Sequence, residues 1–453
     1  MTASLVPQLV PQLVPRLLPQ HGLGGAQDLP ISRELAILGA AAAVAVSFAV
    51  LALAWRSPRY DNATSGRTAP AVLSSFVDSV WWRGALRVVG LLSLVYLVVV
   101  AVFGEDLLIN PIFGIFYVWI WVGVPVASLL LGRVWRAISP FRLISTGIAR
   151  VSGGDPDEGL FVFPERLGMW PAAVGLFAFV WMELVDTHNV ELSPVRLWCG
   201  VYLGLMIIGG ALFGNTFYAR ADPFEVYSSL VAQVSVWGRR DGELVIRSPL
   251  ANLESTPATP GLVGVIAVLF GSTAFDAFRE SSTWLTFIQG TGYSTYLQNN
   301  LGLLAFCLAV GLIFWLACIC TGVGPEQPRN RLPDQLAFSV IPIVVGYILA
   351  HYLSYFVEIG TQTLIQASDP LSNGSDIFGT GSLAIPYWLS YHPTFLADVK
   401  VLAVVIGHVV GVIAAHERAI KLLPKKHQLT GQLPLLAAMI AFTVGGLYLL
   451  FST

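Results

Sequence analysis

The chain has 453 residues, 55% of them hydrophobic and 11% charged, with a net charge of −2. Soluble domains carry about 25% charged residues, so a water-facing globule of this length is excluded, and the near-neutral balance argues against a nucleic-acid partner. The charges stand in short clusters between long apolar runs, which is the pattern of an all-α, polytopic helix bundle in the lipid bilayer.

The chain starts with an oddity. Residues 4–19 read LVPQLVPQLVPRLLPQ. Prolines interrupt any apolar core that a signal peptide needs, so 1–32 is expected to be an external, disordered leader. If processing instead fell before His21, the new amine and its imidazole would form a Cu(II) chelate.

A span takes about 20 mostly apolar residues. Ten candidates follow, at 34–54, 87–103, 112–132, 170–187, 197–218, 261–279, 301–322, 335–359, 396–416 and 433–452, forming one transmembrane domain over 33–453. The eighth could continue to about Gln366. All but five of the 25 Lys and Arg residues fall in the loops 55–87, 133–169, 219–259, 323–334 and 417–432; the exceptions are Arg16, Arg33, Arg196, Arg279 and Lys400. Basic loops stay in the cytoplasm. Ten spans in the plasma membrane then place both termini on the non-cytoplasmic side.

Two of the basic loops resemble each other. PFRLISTGIARVS (140–152) and PFEVYSSLVAQVS (223–235) align at an offset of 83, matching Pro140 to Pro223, Phe141 to Phe224 and Ser145 to Ser228. Each proline suits the first turn of a helix lying along the membrane surface. Each stretch leads through an acidic turn to a β-like run, GLFVFP or ELVIRSP, and then to a span. Spans three and four therefore read as a parallel copy of spans five and six; two similar elbows arising by chance are the alternative.

Ionisable groups within spans are costly and usually face a cavity or a partner. They gather toward the outer ends. Span four closes with Glu183, Asp186 and His188, the two acids three apart on one helix face. Span six closes with Asp276, Arg279 and Glu280, where a structural Asp276–Arg279 ion pair is the alternative to a site. Span eight presents His351, Tyr355 and Glu358 at i, i+4 and i+7 on one face, as a site or as a satisfied network between helices. Span nine carries His408, and counting turns from Glu358 and from Lys400 puts His351 and His408 at similar depth. His416, with Glu417 and Arg418, reads as structural. The external loops 281–300 and 367–395 are rich in turn formers and aromatics and include His392; they read as caps over an outward cavity. Cys199, Cys307, Cys318 and Cys320 all lie in apolar runs and read as small buried residues. No P-loop, G-x-G-x-x-G, H-E-x-x-H, C-x-x-C-H or G-x-S-x-G motif is present.

Three stretches, His21-Gly-Leu-Gly-Gly with Asp28-Leu-Pro30, Asn110-Pro111 with Tyr117-Val-Trp119 and Trp121-Val-Gly123, and Gly407-His408-Val-Val with Ala415-His416, resemble a family of bacterial and archaeal integral membrane proteins. Its members are commonly labelled fenitrothion hydrolase, an organophosphate or phosphotriester hydrolase. The resemblance runs from His21 to the last span and carries no established catalytic residue. It implies a membrane hydrolase, metal-assisted because phosphotriester cleavage wants an activated water and a Lewis acid. His351 and His408 are then the expected Zn²⁺ or Mn²⁺ ligands. Glu358, Asp186 and Asp276 are expected as further ligands or base, with Glu183, Tyr355, His188 and His392 nearby. Intramembrane His, Glu and Asp equally suit a proton- or metal-coupled transporter of a small molecule. The external histidines suit a non-catalytic metal-handling subunit with a membrane or periplasmic protein partner.

Overall fold

Among the described residues, nine of the ten apolar runs wind into helices long enough to cross a hydrocarbon core. The structure is a computed structural model and describes residues 25–61, 63–322 and 328–452. In chain order the principal helices are α1 (Arg33–Ala54), α2 (Val80–Phe103), α3 (Pro111–Leu131), α4 (Trp170–Leu184), α5 (Leu192–Phe213), α6 (Leu262–Arg279), α7 (Thr295–Ile319), α8 (Arg329–Gln366), α9 (Pro393–Leu422) and α10 (Thr430–Leu450). All except α4 meet the length of a span; α4 has 15 residues, about 22 Å at 1.5 Å per residue, against a core of about 30 Å. The chain is a multi-pass helical membrane protein. Many exposed side chains on α1 and α2 are apolar (Leu38, Val46 and Leu53; Leu92, Val102 and Phe103), as lipid contact requires. His21 lies outside the described residues.

Local chemistry sets the helix ends. Ser32 and Ser79 cap α1 and α2, each hydroxyl accepting a backbone N–H in the first turn. Asn110 does the same for α3, whose Pro111 occupies the first turn, where a missing N–H costs nothing. The middle of α3, Ile115–Gly123, is π-helical, a distortion often retained at working sites.

The bundle is built around α8, whose Tyr347 and Tyr352 are almost wholly buried. It crosses α9 antiparallel with glycine at the contact. A Cβ on Gly346 would lie 2.4 Å from the Ala403 carbonyl oxygen, and one on Gly407 would lie 2.5 Å from that of Pro342. Neither position has room for a side chain. This crossing fixes the register of the two helices.

At the arginine-rich end, both Pro-Phe segments are helices with proline in the first turn, Pro140–Ser152 and Pro223–Val231. They face each other. Arg142 Nε and Nη2 donate to Glu225 at 2.7 and 2.5 Å, and Nη1 donates to Asn215 Oδ1 at 2.7 Å. Of the two expected β-like runs, ELVI forms a strand and GLFVFP forms none. The strands β1 (Arg67–Thr68), β2 (Trp237–Arg240) and β3 (Glu243–Ile246) make a small antiparallel sheet in the order β1-β3-β2, with Trp237 opposite Ile246. Cys307 and Cys318 are buried as expected; Cys199 is half-buried and Cys320 exposed.

Candidate functional site

The last turn of α6 carries Asp276, 1% exposed, and three side chains converge on it. The Tyr352 hydroxyl donates to Oδ2 at 2.8 Å. His351 Nε2 lies 3.0 Å from the same oxygen. Arg279, one turn further along α6, brings Nε to 3.2 Å from Oδ1. The structural ion pair and the histidine site, alternatives in the sequence, are thus one cluster. Arg279 Nη1 also donates to the Leu184 carbonyl at 2.6 Å, tying the end of α6 to the end of α4.

A wider shell of charge surrounds this centre. Glu183 on α4 feels both Asp276 and Arg279, and its Oε2 is sealed from solvent with no hydrogen-bond partner among the described residues. Tyr355 interacts with Glu183 and Asp276. Glu280 is coupled to His351 and to Lys400, and Lys400, buried in α9, also faces Asp28 just before α1. The α8–α9 crossing explains this neighbourhood: five residues along α8 from Gly346, His351 comes about level with Lys400.

The other expected residues fall elsewhere. Glu358 is buried two turns further along α8 and accepts the Ser390 hydroxyl from the segment 367–395. Asp186 lies at the rim, 3.8 Å from the Nδ1 of the exposed His188. His392 is exposed and stacks on Trp388 at 4.3 Å. His408 sits beside Gly407, opposite Pro342, so His351 is nine residues removed along α8, about 13 Å. The two imidazoles do not share a level. His408 Nδ1 lies 2.8 Å from the Val404 carbonyl, and its Nε2 is buried without a hydrogen-bond partner among the described residues. Among the described residues no three His, Cys, Asp or Glu side chains converge as metal donors; Asp276 and His351 offer two, and Tyr352 and Arg279 take the remaining approaches. His416 is structural, its ring nitrogens 3.1 Å from Gln432 Oε1 and 3.0 Å from the Trp55 carbonyl. Tyr352 was not singled out in the sequence, because the stripe from His351 points to Tyr355 and Glu358 and only the position of α6 reveals the other face.

A second polar centre lies between the elbows. Asp222 accepts hydrogen bonds from Trp135 Nε1 at 2.9 Å, the Tyr202 hydroxyl at 2.8 Å and the Phe224 amide at 3.0 Å. Burial, and then the Glu225 charge, push its carboxyl up to about 7. Ser128 and Ser228 share a hydrogen bond of 2.8 Å next to it. Tyr227 on the Pro223–Val231 helix feels Glu183, and Tyr347, one turn from His351 on α8, has its ring parallel to that imidazole at 6.4 Å. Both hydroxyls are buried without a hydrogen-bond partner among the described residues, and buried hydroxyls are ordinarily satisfied.

No protein-family model matches the chain, and no curated protein or solved structure is similar enough to it to count as a match.

Proposed function

We propose that the chain is a proton-coupled transporter of a small solute in the plasma membrane, with the Asp276–His351 pair as its proton-exchanging centre. The observation that carries this reading is the cluster of buried ionisable groups within the helices: Asp276 with His351 Nε2 3.0 Å away and the sealed Glu183 oxygen on the neighbouring helix. Ionisable groups at membrane depth mark proton relays and substrate paths. An aspartate that can hand its proton to an adjacent imidazole, with a second carboxyl sealed nearby, suits coupled loading and release.

The reading takes ten crossings, basic loops in the cytoplasm and both termini outside. The short α4 supports this count. It begins against α6, with the Met169 amide donating to the Pro260 carbonyl at 2.7 Å, and ends against it at Leu184–Arg279. A helix tied at both ends to a crossing helix crosses with it. The parallel duplication of spans three and four in five and six is part of the same proposal, supported by the facing Pro-Phe elbows.

A second reading, a hydrolase acting on phosphotriester-type substrates from the non-cytoplasmic side, is favoured by the pair itself. An aspartate that orients a histidine is the arrangement of a general base. Asp276 and His351 are the two metal-type donors at this centre, and among the described residues no third joins them.

The test uses proteoliposomes with a pH dye inside, challenged with a panel of organic acids, amines and metal ions, beside a chromogenic phosphotriester assay. Solute-driven proton movement by wild type, lost in Asp276→Asn, is the expected result. Phosphotriester cleavage lost in His351→Ala, without proton movement, would replace the first reading by the second. Neither activity in folded wild type would overturn both.

A further inference from the structure

We infer that the basic end of the protein holds a binding site for a phosphate-bearing anion, distinct from the centre at Asp276. A cavity of about 800 Å³ lies between the foot of α2, the segment after α3 and the β2–β3 hairpin. Its walls carry six guanidinium groups: Arg83, Arg87, Arg133, Arg136, Arg239 and Arg247. The one carboxylate among its lining residues is Asp78, already committed to Arg239 through bonds of 3.0 and 2.7 Å. A smaller cavity of about 160 Å³ shares Arg87 and Arg136 and adds Arg142.

Like charges gathered in one concavity repel, and a cleft of one sign concentrates the counter-ion that offsets them. Arg133 shows the strain: burial, and then the neighbouring Arg136 charge, pull it below the ordinary guanidinium range. Arg87 and Arg136 have no carboxylate within 4 Å among the described residues, so their donors are available to a ligand. Arg247 is built in rather than dangling; it is 8% exposed and its Nε donates to Asn252. Planar guanidinium forks match the oxygens of phosphate. Beside the mouth, the helix Ala71–Asp78 and the start of α2 expose Val72, Phe76, Val80 and Trp81. Apolar groups exposed next to an arginine cluster belong at the bilayer surface. That position puts the anionic headgroup of a phospholipid within reach, and a soluble phosphorylated compound carries the same chemistry.

The experiment uses the full chain in nanodiscs of phosphatidylcholine, of a phosphatidylcholine–phosphatidylglycerol mixture, and of phosphatidylcholine with added pyrophosphate. Wild type is compared with the double variant Arg87→Gln, Arg136→Gln, two residues that make no hydrogen bond or ion pair described above. In phosphatidylcholine alone the variant should melt no lower than wild type. The expected result is that phosphatidylglycerol, pyrophosphate or both raise the melting temperature of wild type, and that the apparent affinity falls roughly tenfold or more in the variant. Stabilisation by phosphatidylglycerol alone identifies the headgroup as the source; stabilisation by pyrophosphate alone identifies a soluble ligand. Equal responses of wild type and variant to both anions would overturn the site.

Discussion

Replacing Glu225 by Gln removes the negative partner of a buried charge pair while keeping its shape. Glu225 is 1% exposed and Arg142 13%, so solvent screens the pair little. Removing one member of a buried pair costs about 3–5 kcal/mol. Two features reduce that here. Arg142 keeps its bond to Asn215 Oδ1 and its place over the Tyr218 ring, 5.3 Å from the centroid. Asp222 is also relieved of a neighbouring negative charge. A net loss of about 2–3 kcal/mol is expected. The assay is a double-mutant cycle with Arg142→Gln, Glu225→Gln and the double variant, each unfolded by denaturant in the same micelle. A coupling energy of about 2 kcal/mol is expected. Additivity within about 0.5 kcal/mol would refute the inference that this pair holds the elbows together.

Asp222 predicts a pH dependence. Its carboxyl titrates near 7 in the folded protein and near 3.9 when unfolded. Between those values the folded state keeps a proton that the unfolded chain has lost, so stability falls as pH rises through that window, by roughly 4 kcal/mol in all. Melting curves of Asp222→Asn should lack this component. Gly407→Ala should force α8 and α9 apart and cost about 1–3 kcal/mol, whereas Gly39→Ala, with nothing within 4 Å of its Cβ position, should be neutral or slightly stabilising; thermal unfolding separates them. Topology reporters fused after Asn189 and at the C-terminus should both report the non-cytoplasmic side, and a cytoplasmic signal after Asn189 would show that α4 does not cross. His408→Leu removes an unpaired buried nitrogen and should leave stability within about 1 kcal/mol of wild type or raise it.

The spans were legible because hydropathy over 20 residues records lipid contact directly, and α1, α2 and α7 show apolar side chains to the outside. Depth was not legible. Taking Glu358 and Lys400 as level placed His351 beside His408. The Gly346–Gly407 crossing instead sets Lys400 beside His351 and Glu358 beside Ser390. That register depends on where two glycines let backbones touch, and nothing in either helix alone specifies it. Asp276 and His351 each stood out by residue type at membrane depth, but their contact joins residues 75 apart. The elbows teach the opposite lesson. Aligned at an offset of 83, Arg142 falls on Glu225 and reads as a mismatch. In space the two positions meet, so opposite charges there are complementarity.

The tie between α1 and α9 also has a temporal side. Glu417 accepts from Trp55 Nε1 at 3.0 Å and from the backbone amides of Arg59 and Tyr60 at 2.6 and 2.8 Å, partners separated by up to 362 residues. At about 5–20 residues per second of synthesis, the segment after α1 waits roughly 20–70 s for its anchor to leave the ribosome. During that interval those amides lack the Glu417 carboxylate and have only water or headgroups to bond. Nascent chains that stop before α9 would leave this first helix without its Glu417 clamp, so the stability of the first helix waits on the last seventh of the chain.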